Sequence, residues 1–313
     1  MLRETFSPSP APLSPCSNAS QNHQPGRLNS YRITAQRQSR SARQHDHPPF
    51  SESPGADERM VVGLGPDLIS GIGEVEGLHA FQAMRGNGVE IPATQADLWI
   101  WLRGEDRGEI AKRAREVLRY LGAGFTVVRM VDGFKYGVDL DVGLDLSGYE
   151  DGTENPEGEA AIAAAFAPDG SSFVSVQQWE HDLNQFDSLD LAERNNIFGR
   201  QISDNEEMED APVSAHVKRS AQESFDPEAF VLRRSMPWVD GGKEGLVFVA
   251  FGHSLDAFEA LLNRMIGLED GIVDGLFRFT HPVSGANYWC PPQKHGQKHG
   301  QKGVYLDLSR IGL

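Results

Sequence analysis

One pattern, met twice, limits what this chain can fold into: a buried strand, an amphipathic helix, then another strand. In the first half, residues 97–102 (Asp-Leu-Trp-Ile-Trp-Leu) are a short, nearly unbroken apolar run, as expected of a strand covered on both faces. Residues 106–121 follow with Ile110, Ala114, Val117, Leu118 and Leu121 at helical spacing, and Gly122 supplies a stop. Residues 126–131 read as the next strand. In the second half, 172–179 alternates like a strand and 187–198 suits a helix. Residues 245–251 form a strongly apolar strand, and 254–266 place Leu255, Phe258, Leu261, Leu262 and Met265 on one helical face. The expected class is α+β, in two halves of similar plan. The halves share no clear sequence identity, so the duplication rests on pattern alone.

The 313 residues suffice for two domains. Residues 1–59 hold eight of the eighteen prolines, with many Ser, Gln and Arg and no apolar period. Such a segment buries too little to offset its ordering entropy, so 1–59 is predicted to be a disordered tail. Order is expected to begin near Met60, with one domain over 60–170 and a second over 171–313. The net charge is −16, and the tail is slightly basic, so the folded body is strongly acidic and would repel a phosphate backbone. Nucleic acid is excluded as a partner on that ground. The two cysteines, Cys16 and Cys290, make no disulfide framework and suit a reducing compartment. No apolar run approaches the ~20 residues that span a bilayer, and no export signal is legible. A cytoplasmic protein without membrane contact is expected.

Several catalytic motifs can be set aside. Gly63-Leu64-Gly65 and Gly71-Ile72-Gly73 do not extend to a dinucleotide fingerprint, and no Walker loop or nucleophile elbow occurs. Glu180-His181 lacks the second histidine of a zinc-protease helix. The tandem repeat at 293–303 carries His295 and His299, which with Cys290 could hold a metal loosely; a surface-loop insertion is the favoured reading. What remains is an acid, a histidine and an arginine in order: Asp151 in Gly148-Tyr149-Glu150-Asp151-Gly152-Thr153, His216 in Ser214-Ala215-His216-Val217, and Arg233 in Val231-Leu232-Arg233-Arg234-Ser235-Met236-Pro237-Trp238. Singly each has an ordinary explanation: turn chemistry for Asp151, a structural imidazole for His216, a solvated charge for Arg233.

Together they carry a resemblance. Residues 148–156 resemble the GxxDG signature of dye-decolorizing (DyP-type) peroxidases, and 173–181 resemble the strand that follows it. The segment at 214–217 resembles the one bearing the proximal haem histidine, and 231–238 the one bearing the distal arginine, with Arg233 rather than Arg234 as the match. The similarity runs from about residue 60 to the C-terminus. Relatives start with a strand and helix that the sequence does not show here, so the first domain either lacks them or begins in altered form.

The resemblance implies two ferredoxin-like domains, antiparallel sheets with helices packed on them, with haem b held mainly by the second. His216 is then the axial ligand of the haem iron and Asp274 its hydrogen-bond partner. Asp151 and Arg233 are catalytic, and Ser235 and Phe248 border the cofactor. Neutral imidazole is a good axial ligand, and a carboxylate on its other nitrogen makes it more basic. A carboxylate can carry a proton between peroxide oxygens, and a guanidinium steadies the developing negative charge. The implied activity is reduction of hydrogen peroxide with one-electron oxidation of broad organic donors such as dyes and phenols. The rival is a haem-binding protein for storage or transfer, which needs His216 but not Asp151 and Arg233 together. A third reading is an α+β fold without haem, in which His216 is structural. A homo-oligomer is expected, because a sheet edge bared by a missing first strand would invite association.

Overall fold

The computed structural model describes residues 29–38, 60–135, 137 and 143–292. Its first half contains β1 (Asn29–Arg37), β2 (Met60–Leu64), β3 (Leu98–Gly104), α1 (Arg107–Leu121) and β4 (Phe125–Phe134). The second half contains β5 (Ser172–His181), α2 (Leu191–Phe198), α3 (His216–Arg219), β6 (Leu232–Arg233), β7 (Met236–Asp240), β8 (Lys243–Gly252), α4 (Asp256–Met265), β9 (Thr280–Pro282) and β10 (Ala286–Cys290).

All pairings between these strands are antiparallel. The first four strands lie in the order β4-β1-β3-β2, and four from the second half in the order β10-β5-β8-β7. Two thin seams join them, Leu64 opposite Trp289 and Gly133 opposite Trp238, and the eight strands close into a barrel. The short strands β6 and β9 pair with β8 and β5 outside the ring.

The helix-strand unit of the first half matches the sequence closely. Asp106 caps α1 by accepting from Glu109 N at 2.9 Å, and Gly122 ends it at φ 51°. Strand β3 is apolar on both sides because both sides are covered. Leu98, Ile100 and Leu102 pack outward with Ile110, Ala114 and Leu121 of α1, while Trp99 and Trp101 face the barrel interior with Val174, Val249 and Tyr288. The helix expected over 187–198 is divided: Leu183–Ser188 forms one short helix, and Asp190 caps a new start by accepting from Glu193 N.

One expectation is overturned. Residues 29–37 fall inside the predicted tail, yet they form β1, pairing with both β3 and β4. Ile33 and Ala35 are fully buried, so the strand belongs to the core of the first half. The signal was weak because the inward face of β1 is polar (Ser30, Arg32, Thr34), and nine residues were averaged with Pro-rich neighbours. The first half therefore has its first strand. The rest of 1–59, and the repeat at 293–303, lie outside the described residues. Among the described residues no helix is long and apolar enough to cross a membrane.

Candidate active site

The pocket is walled by alternate residues of β8. Phe248 and Ala250 point away from the barrel towards α4, whereas Val247 and Val249 point into it. Phe248 stacks on Phe258 of α4 at 5.9 Å, and Leu261, Leu262 and Met265 continue that apolar wall. Phe198, Leu276 and Phe279 contribute further apolar surface. Counted out to its mouth, the cavity encloses about 1250 Å³. Asp151, His216 and Arg233, which are separated widely in sequence, all line it.

His216 opens α3, and its imidazole is held from behind. Its Nδ1 lies 2.8 Å from Oδ2 of Asp274, a side chain with no solvent exposure. A carboxylate accepts, so this contact favours the tautomer with its proton on Nδ1, the one that leaves the Nε2 lone pair for a ligand bond. Asp274 is itself fixed: Oδ1 accepts from Leu276 N at 2.9 Å, and its own N–H donates to Met265 O. Gly275 allows the close approach this requires, because a Cβ there would stand 3.0 Å from the Ile197 carbonyl and 3.3 Å from that of Ser214.

Asp151 ends a small hairpin, Glu150–Asp151 paired with Gly143–Leu144, and Gly152 turns the chain at φ 89°. Burial raises the pKa of its carboxyl above the ordinary range and the nearby Asp145 adds to the rise, while Arg233, His216 and the Gly152 N–H oppose it. Arg233 lies on β6. Asn155 grips its backbone at both ends: Arg233 N donates to Asn155 Oδ1 at 2.7 Å, and Asn155 Nδ2 donates to Arg233 O at 3.2 Å. Gln222 joins the same loop to Val231, donating to Glu154 O and accepting from Val231 N. Arg233 Nε is buried and has no hydrogen-bond partner among the described residues, so it is free to serve an oxygen brought by a ligand.

Phe248 lines this pocket; Asp274 supports it from beneath. Ser235 does not line it. It borders a neighbouring cavity that also touches Asp151 and Arg233, and its Oγ accepts from Val249 N at 3.4 Å. Sequence reasoning passed over Asn155 and Gln222, whose roles are visible only as backbone contacts. It also passed over a buried pair at the pocket wall, His181 Nε2 and Asp145 Oδ1 at 3.1 Å, in which the His181 partner helps hold the Asp145 carboxyl below the usual range against burial.

A family profile described as "Dyp-type peroxidase, C-terminal" matches residues 143–295. The dye-decolorizing peroxidase of Rhodococcus erythropolis is 32% identical over 254 residues, covering 76% of this chain and 73% of that protein. The dye-decolorizing peroxidase of Mycobacterium tuberculosis is 32% identical over 248 residues, covering 74% and 72%. Among solved structures, a dye-decolorizing protein from V. cholerae superposes with a TM-score of 0.73 at 26% identity, covering 84% of this chain and 93% of that one. DyPB from Rhodococcus jostii RHA1 shares the fold at 23% identity, with a TM-score of 0.73 over 86% and 94% of the two chains, and a variant of it was solved in complex with heme. An antiparallel α+β barrel with these relatives is an oxidoreductase of the peroxidase class. The chain belongs to the dye-decolorizing peroxidase family and is a DyP-type peroxidase.

Proposed function

We propose that this enzyme is a haem b peroxidase that reduces hydrogen peroxide and oxidises organic donors, dyes and phenols among them, one electron at a time. The observation that carries this reading is the convergence of Asp151, His216 and Arg233 on one apolar pocket, with His216 Nδ1 2.8 Å from the Asp274 carboxylate. The donor set fits haem. No cluster of three or more metal-ligating side chains occurs among the described residues, and a lone imidazole holds iron firmly only when the other ligands arrive with the metal, as in a porphyrin. The apolar walls of β8 and α4 suit the flat macrocycle, and variants of one protein of the same fold, DypB of Rhodococcus jostii RHA1, have been solved with heme.

His216 would hold the iron through Nε2, with Asp274 raising its basicity. When bound, haem supplies the redox chemistry at the iron. Asp151 takes the proton from one peroxide oxygen and returns it to the other, and its raised pKa suits both tasks. The Arg233 guanidinium favours the negative charge that builds as the O–O bond breaks. Phe248 and its neighbours exclude water. Ser235 acts at one remove, along the adjoining cavity beside Arg233. A haem store or carrier is not favoured, since it has no use for an acid and a guanidinium on the open side.

Two ferredoxin-like domains, dividing near residue 170, are supported by the strand orders: each half places its first and third strands at the centre, flanked by the fourth and second. Homo-oligomerisation is supported by Val127, Val128 and Met130, exposed on β4, rather than by a missing first strand. A cytoplasmic setting is consistent with the free, buried thiol of Cys290.

The test is the absorption spectrum of the purified protein with and without His216→Ala, followed by peroxide addition to Asp151→Ala and Arg233→Ala. Loss of the Soret band in the first variant and slowed peroxide reaction in the other two are expected. Haem uptake that ignores His216, or peroxide kinetics unchanged in both distal variants, rejects the assignment.

A further inference from the structure

A second cavity lies inside the barrel and shares no lining residue with the pocket that contains His216. It encloses about 800 Å³ counted out to its mouth. Its chemistry is unusual for a barrel interior. Arg32 is 3% exposed and makes no ion pair with any described residue. Its Nη2 donates to Arg234 O at 3.1 Å and its guanidinium stands 5.2 Å from the Trp101 ring centroid, but Nε and Nη1 have no partner among the described residues. Trp99 Nε1 is likewise buried and has no partner among the described residues, while the Tyr288 hydroxyl is met by the Ala96 backbone. Burial without a counter-charge lowers the Arg32 pKa to about 9, so the group is still cationic at neutral pH.

A second cation lines the same cavity. Arg129 lies opposite Thr34 on the β1–β4 ladder, two residues along from Arg32 and on the same inward face. Diagonal neighbours of this kind are about 7–8 Å apart, within reach of a single carboxylate for long side chains. Arg129 is half-buried and donates to Gln178 Oε1 at 2.5 Å; that acceptor is neutral. The Asp97 carboxylate close to this end of the barrel is already engaged by Gln36 Nε2 and Arg37 N. Facing the cations are Trp99 and Tyr288, stacked at 6.2 Å, with Val176 and Val247. A buried cation is costly unless it is paired or hydrogen-bonded, and an anion of fitting shape would supply the missing partner.

We propose that the barrel cavity is a binding site for a small aromatic carboxylate, its carboxylate received by Arg32 and Arg129 and its ring packed among Trp99, Tyr288 and the valines. An inorganic anion would satisfy the guanidiniums but leave the apolar half of the wall unused.

Benzoate serves as the probe. It is titrated against the full-length protein while tryptophan fluorescence and the thermal midpoint are followed, beside benzyl alcohol and sulfate. Benzoate should perturb the fluorescence saturably and raise the midpoint. Benzyl alcohol, the same ring without the charge, should do neither at equal concentration, and sulfate should compete only weakly. Arg32→Met and Arg129→Gln should each weaken benzoate binding by about tenfold or more, the usual worth of a charge-assisted hydrogen bond. Arg233→Leu, in the other pocket, should leave benzoate binding unchanged, which separates this site from the haem reading. If Arg32→Met does not fold, Arg129→Gln decides alone, because Arg129 is only half-buried. No benzoate binding to the wild type, wild-type affinity in Arg129→Gln, or binding lost through Arg233→Leu instead overturns the proposal.

Discussion

Replacing Asp274 with asparagine isolates the hydrogen bond behind the imidazole. The substitution preserves shape, and the new Oδ1 can still accept from Leu276 N, so the local turn survives. Where the carboxylate accepted from His216 Nδ1 at 2.8 Å, the amide NH2 now donates. Two donors cannot face each other, so the imidazole shifts its proton to Nε2 and gives up the lone pair needed for iron. A charge-assisted bond of this kind contributes about 1.5–3 kcal/mol net, which corresponds to roughly tenfold to hundredfold in equilibrium. That range agrees with the tenfold to hundredfold in metal affinity generally lost when the partner of a metal-bound histidine is removed. The assay is haem titration of apoprotein by Soret absorbance, paired with urea denaturation. Haem affinity should fall by that factor while the apoprotein's stability changes little. Asp274→Ala, which also strips the Leu276 bond, should lose both. Haem affinity within twofold of wild type in Asp274→Asn would refute the role given to this carboxylate.

Other outcomes follow from the same geometry. Because the pKa of Asp151 is raised, its basic form is lost early on acidification, so the peroxide reaction should decline at a higher pH than an ordinary carboxylate would allow; Asp151→Asn should abolish that limb in a stopped-flow pH profile. Asn155→Ala removes both backbone ties to Arg233 and should cost about 1–3 kcal/mol, read by urea denaturation, with a slower peroxide reaction. Ile33→Ala should destabilise by about 2–4 kcal/mol, since Ile33 is fully buried; an unchanged denaturation midpoint would argue that β1 is not part of the core.

Periodicity made the central elements legible because both faces of β3 and β8 are covered, and the apolar run of β3 and one apolar face of α4 announce that directly. It failed for β1, where the inward face carries Ser30 and Arg32, so that a core strand has a polar alternate face. Asp151, His216 and Arg233 could be picked out by type and local wording, and the structure does bring them to one pocket. Asn155 and Gln222 could not, since they bond to main chain, and amide side chains in a loop look alike whether or not they span a fold. The Asp145–His181 contact joins residues 36 positions apart, a closure that only the paired strands reveal.

Strand β8 is a party wall. Its even-numbered side chains furnish one chamber and its odd-numbered ones the other, with a single backbone thickness between. Remodelling either chamber by changing side-chain size is therefore free to proceed without notice next door, but any kink or register slip in that strand disturbs both tenants at once.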